Sequence, residues 1–365
     1  MAKKIPRKKD SPSHFIFSTG LLHRMYMQKI ITYIATVLLV ASCAGSQATP
    51  SKVSEPKMSS SHSAEFAVWL KDFMADAKKQ GISSKTLDDV FADIEPIDRV
   101  LELDRKQPES TITFDQYIAK VINNARIENG IANYDDNSAL LKEVSAKYGV
   151  QPEFIVALWG VETSYGNNMG SFSVPHALAT LAYDGRRSDY FRGELINALK
   201  IIDEGHIGAW EMVGSWAGAM GQCQFMPSSF HNFAVDHDGD GKRDIWTTQA
   251  DVFASIANYL SSSGWKGDEG WGIPVALPAK FDAALADIKQ EKSISEWNAL
   301  GVMQMHGSAL PSNPEKGSVI FVGQGADARP YLVYNNYKVL LKWNRSRYFA
   351  TSVGILSEKI KQGSM

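Results

Sequence analysis

A mainly α protein with a small β element near its C-terminus is what this sequence predicts. Three observations carry that expectation. Apolar residues recur at helical spacing from residue 64 onward, strand-like runs appear only after residue 317, and no internal repeat breaks the pattern into modules.

The first helix shows in Phe66, Trp69, Leu70, Phe73 and Ala77, which stand at i, i+3, i+4, i+7 and i+11. Leu87, Val90, Phe91 and Ile94 repeat the pattern after Gly81. Residues 138–148, 152–165, 192–203 and 249–261 also read as helices, the second entered at Pro152. Ser318–Val322, Tyr331–Tyr334 and Tyr337–Leu341 read as strands separated by Gly, Pro and Asn.

With 365 residues, 44% of them hydrophobic, the chain has ample core for one large or two ordinary domains. A net charge of −2 speaks against a nucleic-acid partner. A monomer is expected.

The N-terminus reads as a targeting segment. Lys29 precedes the apolar run Ile30–Ala41, too short to span a bilayer comfortably. The run leads into Val40-Ala41-Ser42-Cys43, which resembles a bacterial lipobox; the bland alternative is an ordinary signal peptide containing a Cys. Residues 1–42 are then a lipoprotein signal, with Met25 or Met27 as the true start, and Cys43 is the lipidation site. Ala44 after the Cys sends such lipoproteins to the outer membrane, facing the periplasm. Residues 43–63, rich in Ser, Thr, Pro and Lys, form a disordered tether, a coil spanning roughly 25 Å. Residues 64–355 are the folded region and 356–365 a tail. If Cys43 is lipidated, Cys223 is left alone, and a small buried thiol suits it best.

The residue that stands out chemically is Glu162. It closes the apolar run from Phe154 to Val161, just before Gly166, and a helical register puts Ile155, Leu158 and Glu162 on one stripe. A carboxylate on an apolar stripe is costly to ionise, so its pKa should rise, as a general acid requires. A structural Glu paired with a buried cation fits the same residues. Further on, Ser215 to Phe230 (SWAGAMGQCQFMPSSF) is rich in small residues that let backbone approach a ligand. Alone, that segment also fits tight helix packing.

Five segments together resemble the membrane-bound lytic murein transglycosylase B family: Asp104-Arg105-x-Gln107-Pro108-Glu109, Gly160-Val161-Glu162-Thr163, Ala217 to Gly221, Gln224 to Ser229, and Asn344-x-Ser346-x-Tyr348. They occur in the family's order. The resemblance implies a lysozyme-like helical domain with a groove, a flanking helical region, and the glycan of peptidoglycan as substrate. Glu162 matches the family's single acid, which protonates the glycosidic oxygen and then, as base, takes the proton of the muramoyl C6 hydroxyl. The products are 1,6-anhydro ends, and no cofactor enters the chemistry. Ser215 and Gln224 match groove-lining polar residues, Tyr259 an aromatic one, and Asn344 and Tyr348 a motif closing over the cleft. Trp343 stands where the family often has Tyr, and Cys223 where a small Gly is common. Asp184 and Glu194 are candidates for a second carboxylate, which keeps a hydrolytic muramidase open. A non-catalytic peptidoglycan-binding lipoprotein is the remaining alternative. Arg186 and Arg187 read as internal ion-pair partners or as holders of acidic stem peptides.

A second site is written at Asp236-His237-Asp238-Gly239-Asp240-Gly241-Lys242. Oxygen ligands at positions 1, 3 and 5, Gly at 6 and the Lys242 carbonyl at 7 match the start of an EF-hand loop. A structural Ca2+ is the expected occupant, against a solvated acidic turn. Thr247 occupies position 12, where a bidentate Glu usually stands. The family takes a later Asp, for which Asp251 is the candidate, so the loop runs over 236–251. Thr248-x-x-Asp251 equally resembles a capping box for the next helix.

Overall fold

The computed structural model describes residues 60–106 and 112–364. The signal segment, Cys43, most of the tether and Gln107-Pro108-Glu109 lie outside the described residues. Helices α1 (Ser60–Lys79), α2 (Ser84–Phe91) and α3 (Asp98–Arg105) open the fold. α1 buries Phe66, Leu70, Phe73 and Ala77, the face that its spacing anticipates. Next come α4 (Phe114–Val121), α5 (Asn124–Asp136), α6 (Ser138–Tyr148) and α7 (Pro152–Thr163). A two-residue strand β1 (Phe172–Ser173) pairs antiparallel with β2 (Val213–Gly214), bracketing α8 (Val174–Asp184) and α9 (Ser188–Asp203). Two more helices follow, α10 (Pro227–Phe233) and α11 (Gln249–Ser262).

α7 is the axis of the molecule. The apolar run makes it hydrophobic on every side, and Glu153 through Val161 are all buried. It is wrapped by α5, α6, α11 and the C-terminal α14 (Arg347–Gly363). The stripe read from sequence is therefore a whole buried cylinder, and Glu162 is polar at the one turn where the cylinder ends. Glu153, buried at the other end, is paired with Lys361 at 2.9 Å.

Strands β3 (Gly272–Ala276), β4 (Glu291–Ser293), β5 (Met303–Gln304), β6 (Lys316–Val322) and β7 (Arg329–Val333) form one antiparallel sheet in the order β4-β6-β7-β3-β5. Its faces alternate with period two. Val319 and its partner Leu332 join a small separate core with Trp297 of α12 (Ile294–Ala299), whereas the next pair, Ile320 and Tyr331, faces the main core.

Two expectations need correction. Residues 337–341 are not a strand but the middle of α13 (Asn335–Trp343). Asn336, Tyr337, Val339 and Leu340 are buried there at helical spacing, and so short an apolar run does not distinguish the two periods. The tail at 356–365 is the last half of α14: Leu356, Ser357 and Ile360 are buried against the body of the fold. The mainly α class with a late β element is borne out. Among the described residues no helix is long and apolar enough to cross a membrane.

Candidate active site

Glu162 occupies the last turn of α7, and the backbone beyond it turns sharply. Ser164 and Tyr165 are left-handed at φ 50° and 62°, a conformation that non-glycine residues adopt only when neighbours hold it. Here they do. Arg126 of α5 donates through Nη2 to Ser164 Oγ at 2.9 Å, and the Tyr165 hydroxyl donates to the Arg126 carbonyl at 2.6 Å. Thr163 Oγ1 donates to the Gln222 carbonyl at 3.1 Å and accepts from Gly166 N at 3.0 Å. Gln222 ties the same turn to the loop before α10, accepting from Trp159 Nε1 at 2.7 Å and donating to the Trp246 carbonyl at 2.8 Å.

The Glu162 side chain is half-buried, with aromatic rings around it. Trp343, the last residue of α13, donates its indole N–H to Glu162 Oε1 at 2.6 Å. Its ring lies against Tyr259 and Phe225 at centroid distances of 4.6 and 5.4 Å. Tyr259 packs on Phe233 at 4.5 Å and donates its hydroxyl to the Lys342 carbonyl at 2.8 Å. On another side stands Tyr117 of α4, whose phenol feels the charge of Glu162 and whose ring meets Tyr348 at 5.4 Å. Burial raises the carboxyl of Glu162 to about 8, against the lowering effect of the Trp343 hydrogen bond. A carboxyl so placed is protonated at neutral pH and can give a proton to a bound oxygen.

The segment before α10 is a tight hairpin rather than a helix-packing stretch. Met220 and Phe225 exchange backbone hydrogen bonds at 2.9 and 3.1 Å. Gln224, at φ 50°, donates its amide to the Met169 and Gly221 carbonyls, both at 3.0 Å. Its Oε1 is buried with no partner among the described residues.

The sequence and the fold have close parallels. The chain matches the transglycosylase SLT domain over residues 65–358. It is 30% identical over 293 residues to the membrane-bound lytic murein transglycosylase B of Escherichia coli (strain K12), covering 77% of this chain and 79% of that protein. The chain belongs to the SLT transglycosylase family. Among solved structures, SltB3 of Pseudomonas aeruginosa in complex with NAG-anhNAM-pentapeptide is similar with a TM-score of 0.79 and 41% identity, over 82% of this chain and 80% of that one. The Escherichia coli lytic transglycosylase SLT35 in complex with calcium is similar with a TM-score of 0.70 and 29% identity, over 81% and 93%.

Within this transglycosylase the residues singled out from sequence do not all converge. Glu162 and Tyr259 are brought together through Trp343, and Tyr348 reaches the site through Tyr117. Ser215 is 2% exposed, and its hydroxyl accepts from Ala219 N at 3.0 Å. Asn344 is likewise buried, its Oδ1 accepting from Ser346 N at 3.0 Å ahead of α14. Small polar residues satisfy turn backbones as readily as ligands. Glu194 holds the start of α10, accepting from Ser228 N at 2.9 Å and Ser228 Oγ at 2.7 Å. Asp184 is paired with Arg105 at 2.7 Å. Arg186 and Arg187 both pair internally with the buried Asp104, the former at 3.1 Å. Cys223 is a buried thiol, pushed well up by its surroundings and by the charges of Glu162 and Asp251. Trp343 and Tyr117 are the site residues that sequence reasoning missed. Trp343 drew notice only as a departure from the family's usual Tyr, and Tyr117 sits on a helix face where a core Tyr looks the same.

In the acidic loop, carboxylate oxygens of Asp236, Asp238 and Asp251 come within 4.8 Å of one another. Asp240 stands outside that trio, its Oδ1 accepting from Lys242 N at 2.7 Å. The capping box read at Thr248 and Asp251 is not formed: Thr248 makes no side-chain cap, and the Asp251 carboxylate instead accepts from His237 N and Asp244 N, both at 2.7 Å. Asp251 is fully buried. Burial raises its pKa, and the charges of Asp238 and Asp236 add to the rise. Three converging carboxylates of which one is buried suit a hard divalent cation.

Proposed function

We propose that Glu162 is the acid and then the base of this peptidoglycan lytic transglycosylase. The observation that carries the reading is a single half-buried carboxyl, raised to about 8 by burial among aromatic rings. Protonated Glu162 gives its proton to the oxygen of the β-1,4 bond between N-acetylmuramic acid and N-acetylglucosamine as the C1–O bond breaks. The resulting carboxylate takes the proton of the muramoyl C6 hydroxyl while O6 bonds to C1. Water is not consumed, and the product carries a 1,6-anhydro end.

A hydrolase of the usual kind needs a second carboxylate on the far side of the bond. The partners of Asp184 and Glu194 favour the one-carboxylate route. The unpartnered acceptor at Gln224 Oε1, with the rings of Tyr259 and Tyr348, suits a sugar that offers hydroxyl and amide donors along with an apolar face. Digesting purified sacculi and weighing the muropeptides tests the reading. Anhydro ends are expected; reducing muramic ends alone would mark a muramidase, and no turnover at all would mark a binding protein.

Two further proposals concern placement and metal. The lipobox-like residues 40–43 and the membrane-bound relative support an outer-membrane lipoprotein, anchored at Cys43 and facing the periplasm. Labelling with a fatty-acid analogue should be lost in Cys43→Ala, which should also leave the membrane fraction. Asp236, Asp238 and Asp251 would hold a structural Ca2+, consistent with the calcium complex of the similar SLT35. The ion would brace the loop leading into α11, with no part in the chemistry.

A further inference from the structure

The hydrogen bond between Trp343 and Glu162 holds more information than proximity. An indole N–H can donate but never accept. It reaches Glu162 Oε1 at 2.6 Å, and the ring is clamped between Tyr259 and Phe225 at 4.6 and 5.4 Å, so the donor is not free to swing away. In a neutral carboxylic acid the carbonyl oxygen accepts better than the hydroxyl oxygen. The oxygen facing a fixed donor is therefore the carbonyl.

We infer that Trp343 is the positioning residue of the acid: its N–H commits Oε1 as acceptor and leaves Oε2 as the oxygen that carries and delivers the proton. This rests on the reading of Glu162 as acid–base. The same bond also serves the proton donation itself. When the glycosidic oxygen takes the proton from Oε2, the C1–O electron pair leaves with that oxygen and negative charge appears on the carboxylate. The N–H···Oε1 bond then becomes charge-assisted and strengthens. It is a contact realised more fully after proton transfer than before it, which is what lowers a barrier.

The surroundings leave Glu162 to titrate alone in the neutral range. Tyr117 on α4, Tyr259 on α11 and the Cys223 thiol are each pushed up by burial, so they stay neutral while Glu162 ionises. Arg126 on α5, whose charge reaches Tyr117, remains a cation throughout.

Two measurements test the inference. With indole-15N tryptophan in the full chain, the Trp343 indole N–H resonance should move downfield as pH rises, with a midpoint near the value of about 8 for Glu162, and should be pH-invariant in Glu162→Gln, whereas the Trp271 indole, which donates to Glu358 Oε1 at 2.8 Å, should behave alike in both proteins. Trp343→Phe keeps the ring contacts and removes the donor. On soluble glycan strands its kcat should fall about tenfold with KM changed less than about twofold. Its alkaline limb should move up by about one pH unit, the sign expected when a bond favouring the carboxylate is lost. Trp343→Tyr, which can donate from a similar ring, should recover part of both. An active Glu162→Gln overturns the reading beneath the inference. An inactive Glu162→Gln beside a Trp343→Phe with unchanged kcat and alkaline limb overturns the inference alone. So does a wild-type protein in which no indole resonance titrates differently from its counterpart in Glu162→Gln, even if the Phe variant fails to fold.

Discussion

Tyr165, just beyond the end of α7, lies directly over Gly160 in that helix's last turn: a Cβ added at Gly160 would meet the Tyr165 ring and hydroxyl at 2.5 to 2.7 Å. The glycine is thus what allows the chain to fold back at Ser164 and Tyr165 and to present Glu162 at the end of a buried helix. Gly160→Ala is expected to cost about 1–3 kcal/mol, the usual penalty of overpacking. A larger proportional loss of kcat should accompany it, because the displaced turn carries Glu162. Denaturant unfolding and turnover on glycan strands measure the two effects separately.

Glu162→Gln should abolish turnover while stabilising the protein at alkaline pH. The carboxyl titrates near 8 when folded against an ordinary value of 4.5. In wild type the neutral form is favoured by folding, so stability is fully present below about pH 4.5 and is lost as pH rises through 8. Gln has no charge to desolvate. The variant should therefore gain on the order of 2 kcal/mol over wild type at pH 9 and nothing at pH 4. Thermal melts at both pH values check the sign.

For the wild-type enzyme, activity should decline on the alkaline side with a midpoint near 8, as the acid loses its proton before substrate arrives. A kcat/KM profile on soluble strands reads this limb. A limb centred near 4.5 would show that Glu162 is not the group being titrated.

Calcium should raise the melting temperature and a chelator should reverse the rise, with a gain of about 2.7 kcal/mol at a hundredfold excess over Kd. Asp251→Asn should remove most of that response, since Asp251 is the buried member of the trio. Asp240→Asn should remove less, because Asp240 stands outside it. Turnover in saturating calcium should otherwise remain, as the loop does no chemistry.

Leu356→Ala should cost about 2–5 kcal/mol, the range for emptying a fully buried leucine site. An unstructured tail at this position would tolerate the change without effect, so an unfolding curve distinguishes the two.

Much of this was legible in the residues. The helical spacing of Phe66, Trp69, Leu70, Phe73 and Ala77, the apolar run ending at Glu162 and the order of the five motifs are local patterns, and local patterns survive in a linear text. The strand-like runs 318–322 and 331–334, bounded by Gly, Pro and Asn, were legible for the same reason. What sequence could not separate were short apolar runs such as 337–341, where strand and helix periods coincide, and small polar residues such as Ser215 and Asn344, which serve turns and ligands alike.

The sequence by itself determined the class of fold, the family, the carboxyl that closes the apolar run and the acidic loop. Only the tertiary structure decided that Glu162 ends a helix buried on every side, that Trp343, 181 residues away along the chain, supplies its hydrogen bond, and that Asp251 turns toward the loop instead of capping its own helix. The physical reason is range. Side-chain periodicity is a property of neighbours on the chain, whereas the environment of a carboxylate is made by whatever distant segments pack around it.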